Sequence, residues 1–455
     1  MIQRSTGEHR RRPAGPLRWF ALVLALAPAI ALTSCGQTDD GQTRVELWTL
    51  ALSPTFDDYM HQVIADFEAE HPGVEVVWVD VPFDALDRKL VTAAAAGRSP
   101  DVVNFSDRQF SRYAALGAMH DLNGLLPGDP HAQYQRGALR ILELDGELLA
   151  LPWYLTTQVR LVNQGLLAEG GLSEDTLGRD WETLRRQARD YHEQTGGFLF
   201  SLRLGEDSIL PTMMLQSGLA LFAEQDGRLV ARLASDEVVA YIRAWVACYN
   251  DGALPRSSAT GGHQAVVEGF QNGRLATIQT GANMLNRVRD ANPDVYEQTA
   301  VLPPLSGALG RSHIAVMPVG VMGKSDHPAL AARLAWHLTK PANQTELARR
   351  SSVLPSTPAS LADPHFNPGA DQTSDRMVLA RVLSARSLDD AVAFTPAVSA
   401  WPDMRLAFNE GMKRVLLNRA DLRETLVEVQ RQWNALLRAA PPASLDTVPR
   451  PEPVS

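Results

Sequence analysis

Residues 45–105 read VELWTLALSPTFDDYMHQVIADFEAEHPGVEVVWVDVPFDALDRKLVTAAAAGRSPDVVNF, and the order of elements in this stretch decides the fold class. Val45-Glu46-Leu47-Trp48 is a short apolar strand. Phe56, Tyr59, Met60, Val63, Ile64 and Phe67 then recur at intervals of three and four, the single apolar stripe of an amphipathic helix. Pro72-Gly73 stops that helix. The β-branched run VEVVWVDV at 74–81 predicts a second strand. Residues 84–96, rich in Leu and Ala and closed by Gly97, predict a second helix, and residues 101–105 a third strand. A β-α-β-α-β order implies an α/β fold with a parallel sheet and right-handed crossovers. Open sheets of this kind bind ligands beyond the carboxyl ends of their strands. The loops after Trp48, Val81 and Phe105 are therefore candidate contacts, with Thr49, Ser53 and Asp84 available on this side.

Upstream, the text changes. Arg4, Arg10, Arg11, Arg12 and Arg18 form a basic region, followed by an uncharged apolar run over 19–33. Fifteen residues are short for a membrane span, which needs about 20, and suit a signal peptide. Leu32-Thr33-Ser34-Cys35 resembles a bacterial lipobox, which implies a signal peptide at 1–34 and a lipidated Cys35 with a polar tether over 35–43. The only other cysteine is Cys248. It lies in an apolar helical stretch and reads as a buried thiol, not a nucleophile. The 455-residue chain carries a formal charge of −9; losing the five Arg and one Glu of 1–34 leaves −13. That balance excludes nucleic acid as a partner.

Downstream, Asp145-Gly146 marks a hairpin turn that leads into Leu151-Pro152-Trp153-Tyr154. Residues 155 to about 300 read as mainly helical, with helices over 181–192, 235–249 and 264–270. A buried strand is expected at 317–322, a helix at 329–338, and an amphipathic C-terminal helix carrying Leu422, Leu426, Val429, Trp433 and Leu436. The proline-rich residues 441–455 read as a disordered tail.

Several segments resemble, in order and spacing, the family 1 extracellular solute-binding proteins, the class that includes maltose-binding and other sugar-binding receptors. They are the Val45-Glu46-Leu47-Trp48 strand, the helix–Pro72-Gly73–strand block, Ala94-Ala95-Ala96-Gly97-Arg98-Ser99-Pro100-Asp101-Val102, Leu116-Gly117-Ala118-Met119-His120-Asp121-Leu122, Leu151-Pro152, and Phe270-Gln271-Asn272-Gly273-Arg274-Leu275-Ala276. The resemblance covers nearly everything from Val45 to Arg438. It implies a periplasmic-binding-protein-like fold of two α/β lobes joined by crossover segments, with the ligand cleft between them. Lobe 1 would comprise 44–155 plus about 316–370, and lobe 2 about 156–315 plus 371–440. It further implies a monomeric receptor for a small polar solute, a sugar or oligosaccharide, that delivers its cargo to ABC permease subunits while held on the membrane by its lipid anchor. A polyol or a glycerol-phosphate ester is the alternative ligand. No catalysis, metal or cofactor is expected.

A sugar needs oriented hydrogen-bonding groups for its hydroxyls and aromatic planes for its apolar ring faces. Asp107-Arg108, just past the third strand, matches an Asp-Arg pair that contacts sugar hydroxyls in the maltose-binding relatives; a helix N-cap at Ser106 or Asp107 is the competing reading. Trp153 and Tyr154 are adjacent aromatics that do not easily share one core. Phe83 follows the second strand. Asn283, in Gly281-Ala282-Asn283, stands where relatives often carry a stacking Trp. Trp401 and Phe408 are candidates from the second lobe, with a core role as the alternative. Glu143, Asp145 and Glu147 raise the rival reading of a secreted glycoside hydrolase using two carboxylates, but the Asp-Gly turn accounts for them as solvated turn positions. The sequence contains no P-loop, HExxH, GxSxG or CxxC pattern.

Overall fold

The computed structural model describes residues 42–440 except 84, 145 and 370–373, together with 442, 443, 445, 448 and 449. The expected signal peptide, Cys35 and nearly all of the tether lie outside the described residues. Strand β1 (Thr43–Leu50) is followed by α1 (Asp57–Glu70), β2 (Val74–Val81), α2 (Leu86–Ala95), β3 (Val102–Asn104) and α3 (Asp107–Ala115). The apolar stripe of α1 is buried at Tyr59, Met60, Val63, Ile64 and Phe67, with Asp57 and Asp58 favourably placed at the positive end of the helix dipole. The chain turns into β2 through Gly73, whose φ of 86° lies in the left-handed region that glycine adopts freely.

β1 pairs in parallel with both β2 and β3, as the β-α-β-α-β order requires. The chain then adds antiparallel neighbours from far away in sequence. The six-stranded sheet runs Leu354–Pro355, Ala150–Thr156, Ala315–Val321, β3, β1, β2. Its faces are covered by one hydrophobic core that contains Leu47, Phe67, Phe105 and Trp153. A second, three-stranded antiparallel sheet is built from Thr277–Thr280, Val159–Asn163 and Thr299–Leu302. Beside it lies a separate core around Trp181, Trp245, Trp401, Phe408 and Trp433.

Among the described residues, three of the passages between the two bodies bear on the site. The first crossing joins Ala150–Thr156 to Val159–Asn163, and the second joins Thr299–Leu302 to Ala315–Val321. On the third, Leu388, Ala391 and Ala393 belong to the first core while Phe394 and Val398 belong to the second.

Two expectations are refined. Residues 155–300 are mainly helical, as expected, but they also hold strands of the second sheet and a hairpin of Phe222–Gln225 with Arg228–Ala231 that the expectation lacked. These strands are only four or five residues long and show little alternation. Nor does all of 441–455 stand free of the fold, because Val448 is buried against the second core, with Ala443 and Leu445 packed beside it.

Candidate functional site

A cleft of about 260 Å³ opens where the two bodies meet. The first body contributes Asp107, at the start of α3. Ser106 caps that helix, accepting from the Gln109 backbone N–H while the Gln109 side chain reaches back to the Ser106 backbone N–H. This reciprocal capping box fixes the turn between β3 and α3, so the competing N-cap reading belongs to Ser106 and not to Asp107. Asp107 Oδ2 accepts a 2.9 Å hydrogen bond from Thr395 Oγ1 on the third crossing, and both residues line the cleft.

The second body contributes a charged cluster. Arg203 donates to Asp207 Oδ2, and Arg405 Nη2 donates to Asp207 Oδ1 at 2.7 Å and to the Ser208 carbonyl at 3.3 Å. Asp207 has a φ of 46°, a left-handed conformation uncommon for a residue with a side chain; such positions cluster at binding and active sites. The loop is held there from the helix Trp401–Asn418. Arg405, Asn409 and Lys413 stand four residues apart on one face of that helix. They contact Asp207, the Ser208 backbone N–H and Glu206 respectively, the last two at 3.1 Å. Burial pulls the Arg203 guanidinium below its ordinary pKa, and Asp207 opposes that shift.

Uncharged groups complete the lining. Gln279 Nε2 donates to Gln158 Oε1 at 2.9 Å, and Gln279 Oε1 accepts the Leu305 backbone N–H. Gln216 accepts from Trp181 Nε1 at 3.2 Å. His313, on the second crossing, accepts the Phe394 backbone N–H on Nδ1, so the neutral ring carries its proton on Nε2. Burial holds its pKa below the ordinary histidine value, with Asp107 pulling the other way. On the second-sheet side lies a smaller space of about 30 Å³, and Gln158, Arg203, Ile209 and Gln279 line both it and the cleft.

Of the residues proposed from sequence, Asp107 lines the cleft. Arg108 is the second residue of α3, and its side chain lies outside what is described. Trp153 and Tyr154 are both buried in the first core; successive residues of a strand point to opposite faces, and here both faces are covered. Trp401 and Phe408 are likewise buried in the second core, where Trp401 meets Trp433 edge-on at 5.6 Å. These four are core residues in this structure, not cleft-lining planes. Phe83 is 51% exposed and Asn283 is exposed at the start of the helix Met284–Ala291; neither lines the cleft. Reading the sequence missed Arg203, Asp207, Gln158, Gln279, His313, Thr395 and Arg405. The four-residue spacing of Arg405, Asn409 and Lys413 on one helix is a local signal that could have marked this cluster.

Two α/β bodies joined by several crossings, with a polar cleft at their meeting, define a periplasmic-type binding protein. The chain matches the bacterial extracellular solute-binding protein model over residues 53–345, and it belongs to that family. Among solved structures, a Synechococcus sp. MITs9220 protein provisionally named an oligosaccharide periplasmic-binding protein is 30% identical. It has a TM-score of 0.78 and covers 87% of this chain and 99% of that one. The sugar-binding protein MalE from Xanthomonas citri shares the fold at 20% identity, with a TM-score of 0.72 over 87% of this chain and 98% of that one. A lipoprotein from the oleD 5′ region of Streptomyces antibioticus, itself uncharacterized, is 26% identical over 356 residues, 75% of this chain and 78% of that protein. The chain is thus an exported binding protein and not an enzyme.

Proposed function

We propose that this protein is the carbohydrate receptor of an ABC importer, capturing a sugar or oligosaccharide in the cleft and delivering it to membrane permease subunits. The observation that carries the reading is the cleft lining. Carboxylates, guanidiniums, amides and hydroxyls from both bodies converge on one space, already held by hydrogen bonds to their neighbours. Preoriented donors and acceptors are what hydroxyl recognition needs. The names of the Synechococcus and Xanthomonas relatives support the same solute class. Asp107 from lobe 1, with Arg203, Asp207 and Arg405 from lobe 2, are the proposed solute contacts. A solute touching both bodies favours the closed arrangement, because a ligand shifts an equilibrium only by its differential affinity for the two states.

The lipobox-like Leu32-Thr33-Ser34-Cys35 and the lipoprotein relative support an anchor on Cys35 that holds a monomeric receptor at the outer face of the membrane. Mass spectrometry of the membrane fraction tests this: a diacylglyceryl-modified N-terminal Cys35 is expected, and an unmodified chain contradicts it. The receptor reading itself is tested by a thermal-shift panel of sugars, polyols and glycerol-phosphate esters. A sugar present at a hundredfold excess over its Kd stabilises the fold by about 2.7 kcal/mol. A panel in which polyols or phosphate esters act and sugars do not moves the solute class.

A further inference from the structure

We infer that the solute carries a small apolar substituent, such as the methyl of an acetamido or deoxy group, and that this substituent enters the 30 Å³ space behind the cleft. The inference rests on the carbohydrate reading above and adds a chemical feature to it. The space adjoins the solute site, since Gln158, Arg203, Ile209 and Gln279 face both. Its far walls carry the carbon of Leu184, Phe200, Val266 and Ile278, none more than 8% exposed, beside three polar side chains that already have partners: Ser201 with the Ser258 hydroxyl, Thr277 with the Leu161 carbonyl, and His263 with the Thr280 hydroxyl. The polar groups at the partition are already engaged. Gln279 bonds Gln158 and the Leu305 backbone N–H, and the Trp181 indole N–H is taken by Gln216.

A hydroxyl pushed into that space gives up its water and meets polar groups that are already hydrogen-bonded to one another or to the backbone. A methyl group loses nothing and gains contacts that the void leaves unmade. The volume is also apt, because a space of this size takes one or two groups the size of a water molecule. The amide side chains at the mouth suit a substituent whose polar linkage stays at the partition while its methyl goes through. An acetamido group has that shape, whereas a deoxy sugar brings the methyl alone.

Calorimetric titration of the purified protein with matched pairs tests this: glucose against N-acetylglucosamine, galactose against 6-deoxygalactose, and cellobiose against N,N′-diacetylchitobiose. Burying one methyl is worth about 0.8 kcal/mol, so the substituted member of at least one pair is expected to bind about fourfold tighter or better. A gain confined to the acetylated pairs assigns the acetamido source, and a gain in the deoxy pair assigns the methyl source. Val266→Ile places an extra methyl in the space, and Ser201→Val does so from another part of its lining. In whichever variant keeps a cooperative melt, the ratio within the pair is expected to fall to about one. Equal affinities within every pair, or a ratio unchanged in a folded filled variant, overturn the inference while the receptor reading stands. No binding of any of the six sugars overturns both.

Discussion

Replacing Asp207 with Ala perturbs the cleft at its most connected point. The carboxylate accepts from Arg405 Nη2 at 2.7 Å and from Arg203 on its other oxygen. The two guanidinium side chains are 23% and 19% exposed and the carboxylate 44%. A hydrogen bond to a charged group contributes about 1.5–3 kcal/mol when buried, and an exposed ion pair about 0–1 kcal/mol. Two contacts of intermediate burial therefore give about 2 kcal/mol, reduced further at high salt. The backbone adds to this. Asp tolerates a φ of 46° better than most residues, whereas Ala there costs about 1 kcal/mol more. The Ala variant should lose about 3 kcal/mol, and Asp207→Gly about 1 kcal/mol because it relieves the backbone while losing the charge. Asp207→Asn, which keeps the backbone tolerance and one acceptor, should fall between. For a cooperative unit of 150–250 residues each kcal/mol is about 2–4 °C in Tm, so the Ala variant should melt about 6–12 °C lower by calorimetry at pH 7.5 and low salt. An Ala variant within 1 °C of the parent, or a Gly variant less stable than Ala, refutes the reasoning.

Asp107→Ala and Thr395→Val remove the two ends of the contact between α3 and the third crossing. Asp107→Ala should weaken solute binding at least tenfold with little change in Tm, and an unchanged Kd removes the residue from the site. Trp401→Ala should cost about 3–5 kcal/mol as a core truncation, whereas Trp401→Phe should keep solute affinity; a selective loss of affinity in the Phe variant would restore the stacking role. A Cβ on Gly307 would stand 2.3 Å from the Gln216 carbonyl oxygen, so Gly307→Ala should force the backbone apart beside a cleft residue and lower both Tm and affinity. His263, His313, His337 and His365 are all held below the ordinary histidine pKa, chiefly by burial. The unfolded chain then binds more protons as pH falls through about 6.5. Stability should be full above about pH 7.5 and decline below about 6.5, with a smaller decline in His313→Gln. A Tm that is flat from pH 7.5 to 5 contradicts that assignment.

What could be read from the chain was local. The stripe from Tyr59 to Phe67, the Pro72-Gly73 stop and the β-branched run ending at Val81 each set their element within a few residues, and the parallel pairing of β1 with β2 and β3 followed. Asp107 was legible because it follows a strand end. The rest of the site was not, because it is assembled across distance: Arg405 and Asp207 lie 198 positions apart. The aromatic candidates misled for a related reason. Trp401, Met404, Phe408, Met412 and Val415 form the buried face of one helix, a periodicity that belongs to packing and outranks the hint given by a Trp beside a Pro. Trp153 and Tyr154 looked too crowded for one core only because covering of both sheet faces cannot be read from a single strand.

On the reading proposed here, a hydroxyl-rich solute bridges the two bodies in the cleft. A crystal structure of the protein grown with the tightest-binding sugar of the panel tests it most directly. The sugar ring is expected between Asp107 on one side and the Arg203–Asp207–Arg405 cluster on the other, hydrogen-bonded to both. A sugar held by one body alone, or bound at a site that touches none of these four residues, contradicts it.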